Sequence, residues 1–182
     1  MRKLRVDVWS DIACPWCYVG KRRLETAIDG FSGKADVHVA WHAFELDPAA
    51  PRETPSVPHA ERLARKYGMS LTEAAKKLDA LTEMGKRDGL ELRFDRIRPA
   101  NTFDAHRLLH LAGERGLQGA LKERFFRAYL TEGEQLAEHE TLVRLAAEAG
   151  LDQKEVWTTL TGDAYADEVR ADEREARELG FN

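Results

Sequence analysis

The chain has little cysteine, little proline outside one short stretch, no excess of charge of one sign and no long hydrophobic run, and each shortage excludes something. Two cysteines among 182 residues, three positions apart, cannot build a multi-bridge disulfide scaffold, so any disulfide here is local. No apolar stretch approaches the roughly 20 residues needed to cross a bilayer, so no membrane partner is expected. A net charge of -4 and a pI near 5.9, with basic residues interleaved among acidic ones, leave no basic block for nucleic acid. The N-terminus "MRKLRVDVWSD" starts basic, but Asp7 and Asp11 break its apolar run, so it has no signal-peptide core and the chain reads as cytoplasmic. Gly-rich phosphate loops, Gly-x-Ser-x-Gly elbows and His-Glu-x-x-His motifs are missing too.

What is present is ordered along the chain, and its length suffices for one sizeable core. "LRVDVW" alternates Val6 and Val8 with Asp7 and Trp9, which predicts a strand. A helix is expected next, opened by Pro15, whose missing N–H and fixed φ suit the first helical position, and carrying Tyr18, Val19, Leu24, Ala27 and Ile28 on its apolar stripe. "VHVAWHAFEL" alternates again and reads as a second strand, parallel to the first. Four of the six prolines then fall in "DPAAPRETPSVP", residues 47–58, a linker that can be neither helix nor central strand. Nearly everything after it is helical. Ser70 and Glu73 form a capping box before a stripe of Leu71, Ala74, Ala75, Leu78, Leu81 and Met84, and Asp152 with Glu155 forms another. "LELRFDRIRP" is the one extended break, and further helices are expected near 102–115, 117–130, 139–149, 152–160 and 164–179.

The cysteines of "ACPWC" sit at the strand-to-helix turn. Residues three apart at a helix start lie on one side, within reach of a disulfide. With Cys14 at the N-cap, free N–H groups and the positive helix end favour its thiolate and lower its pKa below that of a free cysteine. Cys14 is then the nucleophile, and Cys17, more buried, resolves the mixed disulfide. Pro15 has no N–H to offer Cys14, and Trp16 presents a large apolar face suited to an unfolded or peptide-like substrate. The bland alternative is two small buried residues that happen to be close.

A metal reading competes, because His38 and His42 complete a Cys-x2-Cys-x20-His-x3-His pattern. The intervening loop is longer than in zinc fingers and holds a helix, and the histidines fall on a strand, so no metal is assigned. Those histidines then occupy a strand face, hydrogen-bonded under the helical region. Asp7 has two readings: a buried carboxylate that accepts the proton of Cys17, or one that faces solvent or a backbone donor. Lys21 either adds positive charge near Cys17 or belongs to the solvated face of "KRR".

The strand, the CPWC motif and the following strand resemble the start of a thioredoxin fold, and the long helical stretch resembles the insertion of the DsbA family. "VDVWSDIACPWCYVGKRRLE", "NTFDAHRLLHLA" and "FFRAYLTEG" resemble the FrnE-like branch of that family, cytoplasmic thiol-disulfide oxidoreductases related to 2-hydroxychromene-2-carboxylate isomerases and kappa-class glutathione transferases. The resemblance implies an α/β protein with residues 1–46 as the N-terminal half of a thioredoxin-like domain, 59–162 as an all-α insertion, and 163–182 as a helix returning to that domain. It implies active-site cysteines at Cys14 and Cys17 with Pro15 and Trp16 as the tuning dipeptide, protein or peptide thiols and disulfides as partners, glutathione as the one candidate co-substrate, and no other cofactor. The isomerase and transferase relatives carry serine at the position of Cys14, so retention of both cysteines favours exchange over glutathione-dependent isomerisation, which stays as an alternative beside a redox-regulated binding module. Family members continue beyond a segment like "ARELGFN" into a cis-proline that holds substrate and two more strands. The expectation is therefore a chain lacking the C-terminal thioredoxin strands, weakly active alone or completed by a second copy as a homodimer. Asn101 and His106 stand in the family-like motif without an assigned role.

Overall fold

The computed structural model describes residues 3–50 and 57–181. Strand β1 (Leu4–Ser10) leads into helix α1 (Pro15–Asp29) and, after a 3-10 turn at Lys34–Asp36, into strand β2 (Val37–Ala43). The strands pair in parallel from Leu4 opposite Val37 to Ser10 opposite Ala43, and they are the whole sheet among the described residues. Helices α2 (His59–Tyr67), α3 (Leu71–Arg87), α4 (Phe103–Glu114), α5 (Gln118–Arg127), α6 (His139–Glu148), α7 (Gln153–Thr161) and α8 (Ala166–Glu178) follow. Residues 51–56 of the proline-rich linker lie outside the described residues; on either side of them the chain is irregular, with a turn closed by the Ala50 N–H on the Asp47 carbonyl.

The core lies in the helical part. Leu108, Leu111, Leu121, Phe125, Phe126, Leu130, Leu142, Leu145 and Val156 are fully or almost fully buried and form one cluster with Ile12, Tyr18 and Val19 from the βαβ unit. Removing one of its large side chains, such as Phe125→Ala, costs about 3–5 kcal/mol through lost transfer energy and the cavity left behind. The sheet is less enclosed than parallel pairing suggests. Apart from Ser10 and Ala43, its residues are half-buried or exposed, so Asp7 is not sealed between two covered faces.

The capping box of α3 is complete: Glu73 N–H donates to Ser70 Oγ at 3.2 Å, and Ser70 N–H donates to the Glu73 carboxylate at 2.9 Å. At α7, Glu155 N–H donates to Asp152 Oδ1 at 2.9 Å. The apolar stripe of α3 is narrower than its periodicity predicts. Ala74 and Leu81 are buried, but Leu71, in the first turn, and Ala75 are exposed. Gly85 takes a buried place instead; a Cβ there would stand 2.9 Å from Leu92 Cδ1. The break after α3 makes no strand. Leu90, Leu92 and Phe94 still alternate into the core, and Arg93 N–H donates to the Leu130 carbonyl at 2.8 Å. Helix α5 widens into a π-helical turn over Ala128–Glu132, which Gly133 ends at φ 76°.

Candidate active site

The turn between β1 and α1 is built around Asp11. Its carbonyl accepts the Cys14 N–H at 3.1 Å, Oδ1 accepts the Ala13 N–H at 3.2 Å, and Oδ2 accepts the Leu46 N–H at 2.7 Å from the chain leaving β2. His106 of α4 is buried beneath it, with Nε2 3.4 Å from Asp11 Oδ1, a contact longer than a good hydrogen bond. Burial pushes the Asp11 carboxyl up, but His106 and the Leu46 N–H outweigh it and hold the group below its ordinary range. Asn101 braces the same region: its side chain donates to Glu45 Oε1 at 3.4 Å and to the Pro48 carbonyl at 3.3 Å, and accepts the Phe103 N–H at 3.0 Å as α4 begins.

Cys14 is the N-cap of α1, extended at φ -96° and ψ 108°, with Pro15 as the first helical residue. The Cys17 N–H donates to Cys14 Sγ at 3.3 Å, so one of the free donors of the helix start is aimed at sulfur. Both cysteines are free thiols and half-buried, and Cys17 packs against the core cluster. Trp16 between them is 57% exposed. The two sulfurs titrate together. The interaction between the two thiols, with burial adding to it, pushes Cys14 up. The same interaction pulls Cys17 down, helped by the Asp11 backbone N–H and the charge of Lys122. The pair takes up its first negative charge more readily than its second, because two adjacent thiolates would repel.

Lys21 is neither solvated nor near-surface. It is 4% exposed and bonds Glu25 at 2.7 Å and Glu123 of α5 at 2.6 Å. Glu123 also accepts from Tyr18 Oη at 2.7 Å and Arg22 Nη2 at 2.6 Å, so one carboxylate clamps the face of α1 that follows Cys17. Burial raises the Glu123 carboxyl, but Lys21 and Tyr18 prevail and lower it.

Asp7 bonds partners other than the cysteines. Arg5 holds it from two residues away with contacts of 2.7–3.1 Å, and His42 Nε2 lies 2.8 Å from its Oδ1. Those partners lower its pKa, which makes it a poor proton acceptor. The cysteines and histidines are not gathered into one site either. His42 stacks on Trp9 at 4.4 Å and faces Asp172 of α8 at 3.0 Å through Nδ1, while His38 is exposed.

Sequence reasoning missed Asp11 and Lys122. Asp11 stands at the end of a strand, where aspartate usually signals only a turn. Lys122 is buried because it shares its helix face with Phe125 and Phe126, three and four residues on, and that spacing was available in the sequence.

The DSBA-like thioredoxin domain family matches residues 5–182. A structure described as a probable DsbA oxidoreductase from Streptomyces coelicolor is similar with a TM-score of 0.91 and 46% identity, over 97% of this chain and 76% of that one. The Bacillus subtilis protein YwbO is 29% identical over 168 residues, 92% of this chain and 76% of the relative. The cytosolic disulfide reductase DsbM from Pseudomonas aeruginosa, solved with GSH, shares the fold at a TM-score of 0.65 and 18% identity, over 97% of this chain and 81% of its own. The chain belongs to the DSBA-like thioredoxin domain family.

Proposed function

We propose that the protein is a thiol-disulfide oxidoreductase that works through Cys14 and Cys17. The observation that carries the reading is the Cys17 N–H on Cys14 Sγ at the start of a proline-opened helix, in a chain of the DSBA-like family. Cys14 is the attacking sulfur because it stands outside the first turn beside exposed Trp16, whereas Cys17 leans on the core.

As a substrate disulfide approaches, the single charge of the pair lies on Cys14, and the Cys14 thiolate attacks one substrate sulfur. A bond forms between them, the substrate S–S bond breaks, and the other substrate sulfur leaves as a thiolate that takes up a proton. Cys17, once deprotonated, attacks Cys14 Sγ, closes the Cys14–Cys17 disulfide and releases the second substrate thiolate. Two electrons pass from the dithiol to the substrate; run backwards, the same steps oxidise a substrate dithiol. Trp16 offers apolar contact to an unfolded or peptide-like substrate. Glutathione enters as a co-substrate, in line with the GSH in the DsbM structure, and the cytoplasm is the compartment the reading takes.

The test is trapping. Cys17→Ser should accumulate a mixed disulfide between Cys14 and a peptide disulfide, seen as a mass adduct that a reductant removes. If Cys14→Ser accumulates the adduct instead, the assigned roles are reversed.

A further inference from the structure

Among the described residues, His42 of β2 and Asp172 and Glu175 of α8 each bring one donor atom to within 4.8 Å of the others. Asp172 and Glu175 stand three apart on α8, so one face of that helix presents both carboxylates. Asp172 Oδ1 lies 3.0 Å from His42 Nδ1. Its other oxygen accepts the Ala43 N–H at 2.7 Å and lies 3.0 Å from Nε2 of His110 on α4, while its carbonyl accepts the Trp9 Nε1–H at 3.1 Å. The far side of the His42 ring is fixed as firmly. Nε2 lies 2.8 Å from Asp7 Oδ1, Arg5 holds that carboxylate in turn, and Trp9 stacks on the ring at 4.4 Å. A metal-ligating histidine takes this arrangement, with one nitrogen turned toward the ion and the other donating its N–H to a carboxylate that fixes the tautomer. Donors about 2.0–2.2 Å from a tetrahedral zinc ion stand roughly 3.3 Å apart, close to the 3.0 Å between Nδ1 and Oδ1. A ring nitrogen and a carboxylate oxygen at that distance need a cation between them, either a proton or a metal ion. Asp172 is only 9% exposed, whereas Glu175 is exposed and closes the group from the solvent side.

We propose that His42 Nδ1, Asp172 Oδ1 and the Glu175 carboxylate form a site for a divalent transition-metal ion of the zinc type, with Asp7, His110 and the Ala43 N–H orienting the donors. One imidazole with two carboxylates suits ions of intermediate softness such as Zn2+ or Co2+. Calcium takes oxygen donors alone, and soft Cu+ takes sulfur. The ion replaces the proton between Nδ1 and Oδ1, which leaves to solvent, and three protein donors keep at least one position for water. Bound there, it clamps α8 to the end of β2, because its donors come from both elements. Neither cysteine takes part, so the site goes beyond the exchange reading and stands or falls separately from it.

The experiment titrates Zn2+ by calorimetry into the metal-stripped full chain carrying Cys14→Ser and Cys17→Ser, so that no thiolate competes for the ion. The expected result is one Zn2+ per chain, with a melting temperature that rises with Zn2+ concentration. Glu175→Gln in that background removes a donor from an exposed residue and leaves the fold intact, so it reads ligation even if Asp172→Asn fails to fold. It and His42→Gln should each weaken binding by about tenfold or more, and Asp7→Asn, which only orients the ring, by about tenfold. Glu178→Gln, on the same helix outside the group, should bind as before. Nitrogen-15 histidine spectra read the geometry without a ligand variant: Zn2+ should shift His42 Nδ1 while Nε2 keeps its hydrogen. A chain that takes up no Zn2+, binding that either Glu175→Gln or His42→Gln leaves unchanged, or an ion that settles on Nε2 instead overturns the proposal and leaves the exchange reading untouched.

Discussion

The Cys17 N–H points at Cys14 Sγ over 3.3 Å, and the two sulfurs lie close enough to resist ionising together. The pair is therefore a single titrating unit with two separated steps. The reduced protein should gain one thiolate below the ordinary cysteine range near 8.5 and no second one through moderately alkaline pH. Thiolate absorbance against pH checks this; two thiolates rising together near that value would show that the sulfurs do not interact.

Glu123 joins α5 to α1 through Lys21, Tyr18 and Arg22. Glu123→Gln keeps an acceptor for Tyr18 but leaves buried Lys21 with the more exposed Glu25 alone, and should cost about 1–2 kcal/mol at neutral pH, the lower end reflecting the solvent that reaches Glu123. Because the folded pKa of Glu123 is depressed, this contribution is fully present above the ordinary glutamate value of 4.5 and is lost as pH falls through the lower folded value. Chemical denaturation of both proteins from pH 7 down to 3 should show the difference closing at the acid end.

His42 has the opposite sign. Burial lowers its pKa, but Asp7 and Asp172 on either side of the ring prevail and raise it above 6.5. Its stabilising contribution is complete below that unfolded value and is lost as pH rises through the folded one. His42→Gln should therefore be less stable than the wild type at pH 5.5 and closer to it in alkaline solution. A difference that grows with pH would contradict the assignment.

Gly133 turns the chain out of the π-helical segment with positive φ, and a Cβ there would meet the Arg96 carbonyl at 2.5 Å. Gly133→Ala should cost on the order of 2–4 kcal/mol, since neither the backbone conformation nor the space suits alanine. Gly20, inside α1 with nothing within 4 Å of its Cβ position, is the control. Gly20→Ala should gain about 0.5–1 kcal/mol from helix propensity. Urea midpoints of the two variants should move in opposite directions.

The β1–α1–β2 unit was legible because two alternating runs flank a segment that opens with proline at the one helical position where proline is favourable. The helices after the linker were legible from their caps and periodicity. Asp7 was harder, since alternation tells which residues share a face but not whether anything covers it. In the folded chain, Arg5 and His42 claim that carboxylate. Leu71 shows the same limit within a helix, where the period marks a stripe and neighbouring elements decide how much of it is buried. The cysteine turn was visible as a motif, yet what braces it was not. Only the fold brings Glu123, more than 100 residues away in sequence, onto Lys21, Tyr18 and Arg22 of the helix that follows Cys14. Charged residues read by default as solvated, so Lys21 and Lys122 were both hidden by their own chemistry.

The most direct test of the account is to mix the reduced protein with a peptide disulfide in the absence of other thiols, and to follow both by mass spectrometry. The account predicts that each protein molecule loses two hydrogens as Cys14 and Cys17 join, while one peptide disulfide is reduced to its two thiols. A protein whose cysteines stay reduced, or that stops at a stable adduct without closing the Cys14–Cys17 bond, would contradict it.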